Sequence, residues 1–220
     1  MSRSRTDKLM AATAAVAIAL WVVGIWLRDG SGRQIADKAT DQQVLAWVRA
    51  DQNHIEAGCW LFMLGCVSFM WFTALLRDRV ARYEGGTTML SSALFGGALV
   101  TAAAAMGTMA PDIAAAINMN SITPATAGAF RQLNDAFFLI AELSAIVPVV
   151  ALGAIGWRTG ALPRAWAVFC FVLAVVLAIG PIGWAGLMFG VPVWMVGTTV
   201  FLLRRRSAAA AFAAPSVGTV

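Results

Sequence analysis

Histidine and tyrosine each occur once in the 220 residues, and charged side chains make up only 12% of the chain. A single histidine, His54, excludes haem and zinc sites built on histidine pairs. The three cysteines, Cys59, Cys66 and Cys170, all lie in apolar runs. An odd number of buried thiols gives no disulfide framework, and no Cys-x-x-Cys occurs. There is no glycine-rich phosphate loop followed by lysine and no nucleophile elbow. These absences lead us to expect no metal and no cofactor. The net charge of +5 is not a nucleic-acid signal, because the charges cluster at the ends of apolar runs, where they report membrane orientation.

What is abundant is apolar sequence: 60% of residues are hydrophobic and the mean hydropathy is +0.77. That composition, arranged in long runs, predicts an all-α, polytopic helical bundle in the cell membrane. About six transmembrane spans are expected, over 9–27, 54–76, 88–110, 134–157, 165–180 and 182–203, forming one domain over 1–206. Trp21, Trp26 and Arg28 follow the first run without a small-residue cleavage site, so it reads as a retained helix. Residues 41–50 read as an interfacial helix, capped by Thr40 or Asp41, with Val44, Leu45, Trp47 and Val48 as its apolar stripe. Gly96, Gly97 and the alanines of the third span allow close helix packing. Pro111 is expected to stop that span, and residues 111–133 to connect it to the fourth. Gly180-Pro181-Ile182-Gly183 marks a break, and Pro192 a kink or an effective start for the last span. Residues 207–220 are expected as a flexible tail.

Charge sets the expected orientation. With a cytoplasmic N-terminus, the inner segments carry Arg3, Arg5, Lys8, Arg77, Arg79, Arg82, Arg158, Arg164 and Arg204 to Arg206. The outer ones carry Arg28, Arg33, Lys38, Arg49 and Arg131. Eleven against five predicts both termini in the cytoplasm.

In that topology the ionisable residues converge in the outer half of the bundle. His54 and Glu56 open the second span, and Asp112 follows the third. Asp135 and Glu142 are seven residues apart, two helical turns, on one face of the fourth span. Each has a plainer reading as well. His54 suits an interfacial or capping position, and Glu56 first-turn decoration. Asp112 suits a turn, and Asp135 with Asn134 a helix cap. Glu142 resists such a reading, because it sits inside an apolar span with no basic residue one turn away.

A carboxyl group in apolar surroundings gives up its proton less readily, so Glu142 and Asp135 together make a candidate acid–base pair. Trp60, Phe138, Trp184 and His54 are the candidate substrate-binding residues, the aromatic faces serving to stabilise a cation. Such a site suits protonation of an alkene or epoxide in a lipophilic substrate, followed by cyclisation and proton loss.

The segments Asp135-Ala-Phe-Phe-Leu-Ile-Ala-Glu142, Arg158-Thr-Gly-Ala-Leu-Pro-Arg164 and Gly180-Pro-Ile-Gly-Trp184 resemble a broad group of small six-helix bacterial membrane proteins, especially from actinobacteria. The likeness covers roughly residues 130–206. In size, topology and acid placement the chain is also similar to the small membrane-bound terpene cyclases of bacterial indole-sesquiterpenoid pathways. That resemblance implies cofactor-free cyclisation of a farnesyl-type chain, with Glu142 and Asp135 as the catalytic acids and Glu56 as a third. Two other readings remain open: a non-enzymatic transporter, immunity factor or partner subunit, and a structural role in which the acids hold helices together.

Overall fold

The computed structural model describes residues 3–29, 39–86 and 88–212. Among these every regular element is a helix, with no strand. Helix α1 (Arg3–Arg28) is followed by the short α2 (Asp41–Ala50), then α3 (Gln52–Val80) and a 3₁₀ turn at Ala81–Tyr83. Next come α4 (Met89–Ile117), α5 (Pro124–Thr159), α6 (Arg164–Ala178) and α7 (Gly180–Ala185). A π-helical turn, Gly186–Gly190, leads into α8 (Val191–Phe212).

Five stretches are long and apolar enough to cross a membrane: Arg5–Arg28, Gln52–Tyr83, Met89–Ile117, Pro124–Thr159 and Gly180–Arg204. Helix α6 is apolar but has only 15 residues, about 22 Å of rise. Sequence neighbours pack in series, α1 on α3, α3 on α4, α4 on α5 and α5 on α6, and α8 returns to α1. The helices therefore surround a common interior.

Small residues set how closely the helices approach. A Cβ on Gly24 would stand 2.7 Å from the Phe62 backbone nitrogen, and one on Gly58 would overlap the backbone of Arg28. The α1–α3 crossing thus depends on two missing side chains. Gly97 plays the same part between α4 and α5, where an added Cβ would stand 2.7 Å from Val147 and 2.8 Å from Pro148. At the opposite end of α1, Asp7 pairs with Arg79 at 3.3 Å and ties the start of α1 to the end of α3.

Several boundaries differ from those expected. Pro111 does not end α4, which continues to Ile117. Proline has no N–H to donate and crowds the carbonyl four residues back, here that of Gly107. Beside the disrupted turn, Asn134 of α5 donates to the Thr108 carbonyl at 2.7 Å, tying α5 to α4 at this level. Asp112 is accordingly a buried helical residue, not a turn residue, at 8% exposure.

Helix α5 begins ten residues before the expected start, at Pro124. Thr123 caps it by accepting from the Thr126 N–H at 3.2 Å, and Pro124 stands at its first turn. Asn134 and Asp135 therefore lie in the helix interior and cap nothing. The helix ends at Gly160, whose φ of +62° suits glycine.

Thr40 caps α2 through a reciprocal box with Gln43. Val44, Leu45 and Val48 are buried, and Val44 and Leu45 pack with Ala127 of α5. The last helix continues to Phe212, into the stretch expected as tail; residues 213–220, Arg33 and Lys38 lie outside the described residues.

Candidate functional site

Two cavities occupy the interior toward the end of the bundle that carries α2. The deeper, of about 320 Å³, is apolar. Helix α1 gives it Ile18, Trp21, Val22 and Ile25; α3 gives Phe62 and Phe69. Helix α4 contributes Thr101, Ala102, Ala105, Thr108 and Met109, and α5 contributes Phe138 and Ala141. Leu187, Met188, Val191 and Pro192 close the remaining side. These last four come from the π turn and the first turn of α8. Pro192 cannot donate to the carbonyl of Met188, and the wider π turn just before it accommodates the missing bond. The break shapes a wall of the chamber.

The second cavity, of about 280 Å³, is polar. Arg28, Asp29, Asp112, Arg131, Asn134 and Asp135 line it, together with Val44, Trp47 and Val48 of α2. Arg28, Asp29 and Asn134 belong to both cavities and so form a partition between them. The partition is held by hydrogen bonds. Arg28 Nε donates to Asp112 Oδ2 at 2.7 Å, and Asn134 Nδ2 donates to the same oxygen at 3.1 Å. Arg28 Nη1 is 3.4 Å from Asp29 Oδ1, and its guanidinium stands 5.9 Å from the Trp47 ring centre. The Gly24–Gly58 approach brings the Arg28 backbone against α3, which fixes where its guanidinium emerges. Trp47 presents an indole N–H that is buried and has no acceptor among the described residues.

The residues nominated from the sequence fall in different places. Asp135 lines the polar cavity and Phe138 the apolar one. Glu142 is buried at 3% exposure but lines neither; its carboxyl packs against Gly183 of α7. One face of α5 thus meets two surroundings, a polar cavity near Asp135 and helix α7 near Glu142. Glu56 is half-buried just past the first turn of α3, outside both cavities. His54 is exposed there, with Nδ1 3.9 Å from Asp51 Oδ1. Trp60 and Trp184 are 53% and 51% exposed and point away from the interior, Trp184 edge-on to Phe189.

Three residues central to the partition escaped the sequence reading as site candidates. Arg28 looks like an interfacial charge closing an apolar run, and its partner is 84 residues away. Asp29 begins the polar connection and carries no separate signal. Asn134 did carry one, because an amide inside an apolar helix needs a partner on another helix.

Among the described residues no group of three or more His, Cys, Asp or Glu side chains is arranged to hold a metal ion. No protein-family model, curated protein or solved structure matches the chain.

Proposed function

We propose that this is a multi-pass membrane enzyme that takes a prenylated, farnesyl-sized substrate and cyclises it by proton transfer without a cofactor. The carrying observation is the pair of stacked cavities, one apolar and one polar, that share Arg28, Asp29 and Asn134. An amphipathic molecule fits that arrangement, with its chain below the partition and its polar end among the charged groups. A volume of about 320 Å³ stands at the lower end of the roughly 300–1,000 Å³ of small-molecule sites.

Helix α6 ends in a break from which α7, the π turn and α8 lead back. That hairpin returns the chain to the side it came from, whether it crosses the bilayer fully or turns within it. With α1, α3, α4 and α5 as four crossings, both termini share a side. The arginine-rich ends at Arg77, Arg79, Arg158, Arg164 and Arg204 favour the cytoplasm.

In the proposed reaction Asp135, exposed on the polar side of the partition, delivers a proton to an alkene carbon or epoxide oxygen of the part of the substrate that lies in the polar cavity. The cation so formed is captured by a second alkene with formation of a carbon–carbon bond. The Asp135 carboxylate then takes a proton from the carbon beside the final cation, so the acid is restored and the product is an isomer of the substrate. Trp21, Phe62, Phe69 and Phe138 present aromatic rings that stabilise the cation without reacting with it. Asp112 holds Arg28 and thereby positions the partition.

Cells supplied with farnesylated indole precursors provide the test. An isomeric, cyclised product made by the wild type and lost with Asp135→Asn supports the reading. An unchanged product profile across several precursors, with protein present in the membrane, counts against it.

A second reading draws on the partition itself. An ion-paired barrier between a polar and an apolar chamber also suits a carrier for a lipophilic molecule, with Arg28 and Asp112 as its gate. Binding of the precursor with no change in its structure, together with its transfer across vesicles, favours that alternative.

A further inference from the structure

Glu142 Oε1 is buried and has no hydrogen-bond partner among the described residues. A methyl group on Gly183 would overlap that oxygen and stand 3.0 Å from the carbonyl oxygen of Leu177. Carboxyl and carbonyl therefore look into one small space, which exists because residue 183 has no side chain.

The Leu177 carbonyl has lost its helical donor for a clear reason. In a continuing helix it would accept from residue 181, which is Pro181 and has no N–H. Three nearby backbone donors are engaged elsewhere. Ile179 N–H bonds to Val176 O, and the N–H groups of Ile182 and Gly183 both bond to Ile179 O. Two acceptor oxygens facing each other repel, and a shared proton turns the repulsion into a hydrogen bond. Two oxygens are too few ligands for a bound calcium or magnesium ion.

We propose that Glu142 and the Leu177 carbonyl form a proton-binding site at the α6–α7 break. With the proton bound, the Glu142 hydroxyl donates to Leu177 O, supplying the bond that Pro181 cannot make and fastening the break to α5. The fastened segment runs directly into the π turn, whose Leu187 and Met188 wall the apolar chamber. Loss of the proton replaces that bond with repulsion and frees the wall. The protein thereby couples protonation inside the bundle to access to its ligand chamber.

No competing ionisable group faces the site from the elements around it. On α4 the ionisable residue is Asp112, held by Arg28. On α5, Asp135 lies two turns away, and Arg131 and Arg158 are further. On α6, Arg164 is at the far end and Cys170 is buried two turns from Leu177. Helix α7 and the π turn carry none.

The test uses the full chain in lipid vesicles with no ligand, so its outcome is independent of the proposed reaction. Infrared difference spectroscopy should find a protonated-carboxyl band at neutral pH that is absent in Glu142→Gln. Gly183→Ala should shift or abolish the band, because the methyl group pushes the flexible carboxyl end away from Leu177. Thermal stability of the wild type should fall as rising pH removes the proton, while Glu142→Gln, whose amide still donates to Leu177, stays flat over the same range. A wild type with no such band at neutral pH overturns the proposal. So does a band that Gly183→Ala leaves unchanged, or an equal pH response in Glu142→Gln.

Discussion

Removing one partner of the Arg28–Asp112 pair should cost more stability than removing both. The pair has an N–O distance of 2.7 Å, and its side chains are 24% and 11% exposed. Arg28→Met leaves the largely buried Asp112 carboxylate without its cation, with the Asn134 amide still donating to it. Asp112→Leu leaves the guanidinium with Asp29 and the Trp47 ring. A buried charge stripped of its partner costs about 3–5 kcal/mol, and replacement of both partners by apolar groups of similar volume is often near neutral. The lower end, about 3 kcal/mol, suits a pair with this residual exposure. For a chain of this length that corresponds to a fall in Tm of about 6–12 °C, by the scaling of soluble domains. The double variant Arg28→Met/Asp112→Leu should lie above either single one. Thermal unfolding in lipid nanodiscs, followed by tryptophan fluorescence for all four proteins, closes the cycle. If the two single losses simply add in the double variant, the pair is not coupled and the partition described above is not a unit.

Other substitutions test the remaining geometry. Ala105→Phe places a ring in the apolar chamber and should lower retention of a farnesylated precursor, read by native mass spectrometry, at least tenfold while the protein still folds. Gly97→Ala should cost about 1–3 kcal/mol by forcing α4 from α5 at Val147 and Pro148. Its exposed neighbour has no atom within 4 Å of an added Cβ, so Gly96→Ala should stabilise by about 0.5–1 kcal/mol; thermal unfolding distinguishes the two. Thr40→Ala removes the α2 capping box and should cost about 1 kcal/mol locally. The readout is faster amide exchange over Asp41–Ala50, with α3 unchanged.

Where the sequence carries local chemistry, it was legible. Length and hydropathy mark out the apolar helices because a helix long enough to span a bilayer must hide every backbone polar group within itself. Thr40 announces the start of α2, and Thr123-Pro124 would have announced α5 on the same grounds, had the polar residues after it not read as a connection. Pro111 misled because proline removes one helical hydrogen bond without forbidding helix on either side, and α4 continues to Ile117. Asn134, on another helix, supplies a hydrogen bond beside the disrupted turn.

Composition, the all-helical class and the presence of acids within long apolar helices were thus determined by sequence alone, since each depends on residues adjacent along the chain. Tertiary structure decided what those acids do. Arg28 finds Asp112 only because Gly24 and Gly58 let α1 and α3 touch. Glu142 and Asp135 share a helix face, yet one meets the α6–α7 break and the other a polar cavity. No periodicity within α5 encodes that difference, because it depends on which other helix lies alongside at each level.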